Sequence, residues 1–181
     1  MKTVTLNKMI DKLGLKNLVP EVETDGIEIN SAEINRPALQ LAGYFEHFAC
    51  ERVQIIGYVE YTYLNSLDPE VKMKNYERFM SSRIPCVIYA SRTEPDEAMI
   101  ELAKKYKKPL FLSDRATSSL MAEIIRWLNV ELAPSISIHG VLVDVYGEGV
   151  LIMGESGIGK SEAALELLKR GHPVSYTHLT L

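Results

Sequence analysis

The stretch Val150-Leu151-Ile152-Met153-Gly154-Glu155-Ser156-Gly157-Ile158-Gly159-Lys160-Ser161 decides how the rest of the chain is read. Its first four residues are an apolar run of strand length, and the next eight are a complete GxxxxGK[ST] phosphate loop. Glu162 to Arg170 follows as a helix with an expected apolar stripe at Ala164, Leu165 and Leu168, closed by Gly171. Each part of the loop has a physical task. Gly154, Gly157 and Gly159 permit backbone conformations closed to residues with a Cβ, so successive N–H groups can turn inward around phosphate oxygens. Glu155, Ser156 and Ile158 complete the cradle, and the helix N-terminus adds about half a positive charge there. Lys160 can reach a β- or γ-phosphate as a point charge, while the Ser161 hydroxyl suits a Mg²⁺ ion bridging such phosphates. A glycine-rich turn that only joins a strand to a helix leaves Lys160 and Ser161 unexplained, so nucleotide or pyrophosphate binding is the expectation.

Working backward, Ser135 to Val145 is an extended run broken at His139-Gly140, and Tyr146-Gly147-Glu148-Gly149 reads as a four-residue turn. The strand that carries the loop is therefore predicted to pair antiparallel with its predecessor. Doubly wound phosphate-loop folds instead use helical crossovers, so a GTPase-like or RecA-like arrangement is disfavoured. The hairpin also makes His139 a candidate neighbour of the phosphates.

Residues 1–130 have a different rhythm. Leu6, Met9, Ile10 and Leu13 have helical spacing with Gly14 as the expected cap, and Ile27-Glu28-Ile29 alternates. A short helix follows Arg36-Pro37. Strands are predicted at Val53–Ile56, Cys86–Ala90 and Leu110–Leu112, with helices from Pro69 to Met80 and after Pro95. A last helix, capped by Ser113 or Asp114, carries Leu120, Met121, Ile124, Ile125 and Leu128 inward. Strands alternating with helices predict an α/β domain with a mostly parallel sheet, with a boundary near residue 131.

Composition narrows the function. With 46% apolar and 24% charged residues the chain has a globular make-up. Lys and Arg number 20 against 24 acids, a net charge of −4, which argues against a broad grip on nucleic acid or anionic lipid. No run approaches the roughly 18 apolar residues that span a bilayer. Cys50 and Cys86 lack metal or disulfide spacing and read as reduced core thiols of a cytoplasmic protein. His47, His172 and His178 have no partner at metal-ligand spacing, and Lys104, Lys105, Lys107 and Lys108 read as a solvated helix end. Asp144 and Glu162 are the acids nearest the loop, each expected to be an exposed carboxylate.

Taken together, Ser137 to Ile152, the loop Gly154 to Ser161, and Ser161 to His172 resemble the bacterial HPr kinase/phosphorylase family. Ile34 to Gly43 and Ser113 to Ser118 are similar to that family as well. The resemblance implies a MurF-like N-terminal α/β domain over residues 1–130 and, over 131–172, the start of a kinase domain akin to phosphoenolpyruvate carboxykinase. It implies an enzyme that uses ATP or pyrophosphate to phosphorylate a serine of HPr, the phosphocarrier of the sugar phosphotransferase system. The same enzyme removes that phosphate by phosphorolysis, controlling carbon catabolite repression, and assembles as a homo-hexamer. Carried over by position, Gly154 to Ser161 bind nucleotide, Lys160 and His139 are catalytic, and Ser161 is a Mg²⁺ ligand. Beside phosphates the imidazole of His139 would be favoured as a cation.

The resemblance breaks after His172. The family continues into a strand ending in paired aspartates, one of them the base on the attacking serine; Thr177 and His178 stand there instead. Residues 173–181 therefore read as a non-native tail on a chain truncated after the loop helix, and such a fragment is expected to lack turnover. Two other readings stay open at this stage: a different phosphate-loop kinase acting on a small molecule, and a non-catalytic nucleotide-binding module.

Overall fold

A computed structural model describes residues 2–134, 137–138, 140–176 and 179–180, which fall into two compact units, Met1–Ala133 and Pro134–Leu181.

In the first unit a two-residue strand β1 (Val4–Thr5) leads into α1 (Leu6–Leu13), where Leu6, Met9 and Leu13 form the buried face. The Thr5 hydroxyl accepts the Lys8 N–H at 3.4 Å, and Gly14 ends the helix at φ +60°, a conformation that a Cβ penalises. Then come β2 (Lys16–Asn17), β3 (Glu28–Ile29), β4 (Ile34–Asn35), α2 (Ala38–Leu41), β5 (Val53–Ile56), α3 (Tyr58–Ser66), α4 (Pro69–Met80), β6 (Val87–Tyr89), α5 (Glu97–Lys105), β7 (Leu110–Leu112) and α6 (Thr117–Leu132). The main sheet runs β2-β7-β6-β5-β4; its last four strands are mutually parallel and β2 is antiparallel to β7. The mostly parallel α/β sheet is thus as expected.

Side chains alternate across that sheet and both faces are covered. Ile55, Ile88 and Phe111 point into a core with Leu6, Met9, Leu120, Ile124 and Leu128, whereas Ile56, Val87, Tyr89 and Leu110 meet Tyr76, Phe79, Met99 and Leu102. Short apolar runs buried on two sides explain why these strands read as continuous rather than alternating. Gln54 is the polar exception on β5, and its amide is satisfied by the Ala49 and Arg52 carbonyls at 3.2 and 2.7 Å.

Three details differ from the expectation. Helix α3, with Tyr58, Tyr61 and Tyr63 on several faces, has no clean apolar stripe and was not predicted. Ile125 is 36% exposed rather than inward. Neither Ser113 nor Asp114 caps α6; the Ser91 hydroxyl, from the end of β6, accepts the Thr117 N–H at 3.0 Å, a partner 26 residues away that local spacing cannot reveal.

Cys86 is fully buried, as expected for a core thiol, and Cys50 is partly buried. Burial pushes the Cys86 thiol up from 9.0 to about 12 and raises Tyr89 in the same direction. Between those two values the unfolded chain releases a thiol proton that the folded chain keeps, so stability present below pH 9.0 is lost as pH rises toward about 12. Urea midpoints between about pH 8 and about pH 10.5 should therefore fall less steeply for Cys86→Ala than for the wild type. Equal slopes would show that the thiol does not contribute.

Candidate functional site

The second unit is built on a hairpin, β9 (Gly140–Val145) and β10 (Glu148–Met153), paired antiparallel from Val145↔Glu148 to Gly140↔Met153. The expected pairing is present, but its turn is two residues long, not four. Tyr146 and Gly147 both have positive φ, +56° and +88°, the primed-turn geometry that matches strand twist. Asp144 fixes that turn, its carboxylate accepting the Gly147 N–H at 2.8 Å. Asp144 is thus committed to the turn, at the opposite end of the hairpin from the loop. The His172 and Tyr146 rings meet edge to face at 4.8 Å at that turn. Strand β8 (Ser137–Ile138) pairs with β12 (Leu179–Thr180), and β11 (Val174–Tyr176) adds to β9.

Helix α7 (Lys160–Lys169) packs on the hairpin through Ala164 and Leu167, against Val141 and Val143. Leu165 and Leu168, expected inward, are 55% and 48% exposed. Ala164 and Leu167 are three apart and define the buried face; the leucine-rich sequence had suggested the neighbouring one.

Between β10 and α7 the loop Gly154 to Ser161 curls over the end of the hairpin. Gly157 and Gly159 sit at φ +85° and +95°, and Gly159 is the N-cap of α7. A Cβ on Gly154 would lie 2.9 Å from the Ile158 side chain, so close packing, not φ, demands glycine there. Gly140 is similarly constrained, its missing Cβ falling 2.8 Å from Leu151 and 3.0 Å from the Ile152 carbonyl. The Lys160 ammonium donates to the Gly154 and Glu155 carbonyls at 2.7 and 2.6 Å, closing the loop on itself. A cavity of about 530 Å³ opens here, lined by Gly140, Val141, Gly154 to Gly157, and Gly159 to Glu162. Backbone amides of a glycine loop, one ammonium and a hydroxyl are groups of the kind that hold phosphate oxygens.

The structure gathers Gly154, Glu155, Ser156, Gly157, Gly159, Lys160 and Ser161 around one cavity, with Ile158 on its outer side at 69% exposure. His139 lies outside the described residues, as do Thr177 and His178. Among the described residues no group of three or more His, Cys, Asp and Glu side chains forms a metal cage. Lys104 pairs with Glu21 at 3.1 Å and Lys105 with Glu77 at 2.6 Å, contacts that raise both ammonium pKa values; Glu77 is lowered by Lys105, and Glu21 first by a backbone hydrogen bond and then by Lys104.

A mostly parallel α/β unit followed by a strand, glycine loop and helix defines the class. Residues 4–128 match the family profile described as HPr Serine kinase N terminus, and residues 130–175 match the HPr Serine kinase C-terminal domain. The chain belongs to the HPr serine kinase family. It is 53% identical over 172 residues to the HPr kinase/phosphorylase of Lachnoclostridium phytofermentans, covering 95% of this chain and 56% of that protein. With that of Alkaliphilus metalliredigens identity is 45% over 172 residues, 95% of this chain and 55% of the relative. With that of Clostridium acetobutylicum it is 43% over 169 residues, 93% of this chain and 55% of the relative. The chain thus spans about half the length of the curated relatives it matches. A solved structure of the CBS and DRTGG domains of the regulatory region of Clostridium perfringens pyrophosphatase aligns over 72% of this chain and 47% of that one, at 16% identity and a TM-score of 0.45, too distant to carry anything across.

Because Gly159 is both N-cap and left-handed, Gly159→Ala should weaken the start of α7 by about 1–2 kcal/mol. Hydrogen exchange of the α7 amides is expected to quicken about tenfold. Gly149→Ala, where the nearest atom to the new Cβ is 3.8 Å away, should leave it unchanged. Equal exchange in the two variants would show that φ at Gly159 is not limiting.

Proposed function

We propose that, at the length of its relatives, this protein phosphorylates a serine of HPr with ATP or pyrophosphate and removes that phosphate by phosphorolysis. The observation that carries the reading is the cavity of the Gly154 to Ser161 loop, with Lys160 and Ser161 on its wall, in a chain whose relatives are named HPr kinase/phosphorylase. Loop amides and Lys160 would bind the phosphates, and His139 would join Lys160 in stabilising the transferring group. The donor set suits Mg²⁺: the Ser161 hydroxyl and Glu162 carboxylate are hard oxygen donors on the same wall. When bound, the ion supplies charge neutralisation at the phosphate oxygens.

The same reading makes the first unit the MurF-like domain (residues 1–130) and residues 131–172 the opening of a kinase domain like that of phosphoenolpyruvate carboxykinase. Residues 173–181, read from the sequence as foreign to the family, are matched by its profile as far as residue 175. HPr is the protein partner, the assembly is a homo-hexamer, and the setting is the cytoplasm. Exposed apolar groups on the second unit, including Val150, Met153, Leu165 and Leu168, support burial against further protein. No described helix is long and apolar enough to cross a membrane.

Lys160→Ala, made in a protein of the relatives' length, should abolish ATP- and pyrophosphate-dependent labelling of HPr. Retained labelling would overturn the role given to Lys160. Labelling of small metabolites but not HPr would favour a different phosphate-loop kinase, and binding with no transfer at all a nucleotide-binding module.

A further inference from the structure

Among the described residues two helices are glycine-capped with glutamate at the third position, and they treat that glutamate differently. At α3, Glu60 reaches back to the Gly57 N–H at 3.0 Å and also pairs with Arg36 at 2.7 Å, leaving its side chain 3% exposed. This is a closed capping box. At α7, Glu162 leans over Gly159, with Oε2 3.3 Å from where a Cβ on that glycine would stand. Yet among the described residues Glu162 makes no hydrogen bond to the cap and no ion pair. Its carboxylate is left on the wall of the 530 Å³ cavity beside Ser161.

The charge around that cavity makes this consequential. Its described lining carries one ammonium, Lys160, and two carboxylates, Glu155 and Glu162. The ammonium is already bonded to two loop carbonyls. The helix N-terminus attracts a polyanion entering here, but an adjacent unpaired carboxylate repels it. A divalent cation entering with the phosphates reverses the sign of that second interaction.

Resting on the phosphate-loop reading above, we infer that Glu162 is a positioning residue for a divalent cation, so that the loop takes a cation–phosphate complex in preference to the free polyanion. Glu162 adjoins Ser161 in the chain and acts on the ion directly or through one of its waters, as suits a small cation that keeps part of its hydration shell. Glu155, on the loop itself, lacks a hydroxyl neighbour on the helix and contributes repulsion only.

Calorimetric titration of the 181-residue chain with pyrophosphate, in EDTA and in Mg²⁺, tests this. The wild type should bind more tightly with Mg²⁺. Glu162→Gln should bind metal-free pyrophosphate at least as tightly as the wild type, while its gain from Mg²⁺ shrinks about tenfold. Glu148→Gln, at the turn end of the hairpin and away from the loop, should keep the full gain. Retention of metal-free binding certifies that the variant loop is folded. A full Mg²⁺ gain in Glu162→Gln, or loss of metal-free binding in it, overturns the inference, the second outcome showing a helix-capping role instead. A wild type that binds no pyrophosphate in either buffer overturns the phosphate-loop reading itself, and the inference with it.

Discussion

Where Ala164 meets Val141 and Val143, α7 lies on the hairpin with only a methyl group between backbone and sheet. That closeness fixes where the N-terminus of the helix falls relative to the end of β10, and six residues, Gly154 to Gly159, must bridge the gap. A bulkier residue at 164 would lift the helix and open the loop; overpacking of this kind typically costs about 1–3 kcal/mol. Gly140 serves the same end from below, since a Cβ there would collide with Leu151 on the partner strand. The cavity is therefore a product of two small residues on facing elements as much as of the loop's own glycines.

Lys160 ties the loop to itself. The ammonium satisfies the Gly154 and Glu155 carbonyls, holding both ends of the turn together. A ligand that draws Lys160 away must supply enough new interaction to offset two charge-assisted hydrogen bonds, each worth about 1.5–3 kcal/mol. The loop amides and the helix dipole favour the ligand, and they act only on an anion. On the proposed reading, selectivity for phosphate would arise from that exchange: a neutral molecule gains nothing from the amides and leaves the lysine where it is.

Much of this was legible in the sequence, for identifiable reasons. Strands buried on both faces, such as Val53–Ile56 and Leu110–Leu112, announce themselves as short apolar runs between Gly and Pro signals, and the phosphate loop is a fixed pattern. What stayed hidden depends on distant partners. Ser91 caps α6 from the turn after β6, Arg36 neutralises Glu60 across 24 residues, and α3 spreads its tyrosines over several faces. The turn at Tyr146-Gly147 was misjudged by two residues because a non-glycine residue takes a positive φ there, which Asp144 supports by bonding the following amide. Leu165 and Leu168 misled for a related reason: when many residues of a helix are apolar, periodicity alone does not say which stripe the sheet selects.

The same limit bears on the acids. By sequence, Glu60 and Glu162 occupy equivalent places, three residues after a glycine at the start of a helix, and Asp144 is simply an acid near the motif. Only the tertiary structure separates them. Arg36 makes it favourable to bury Glu60, which closes its cap and becomes part of the scaffold. Asp144 is consumed by a turn. Glu162, which among the described residues has neither an ion pair nor a closed cap, lies on the wall where phosphates would sit on the proposed reading. A carboxylate kept unneutralised at an anion-binding wall is unfavourable in isolation, and it becomes favourable when a cation arrives with the anion. On the inference drawn above, the geometry of the loop therefore favours a cation–phosphate pair over a lone polyanion.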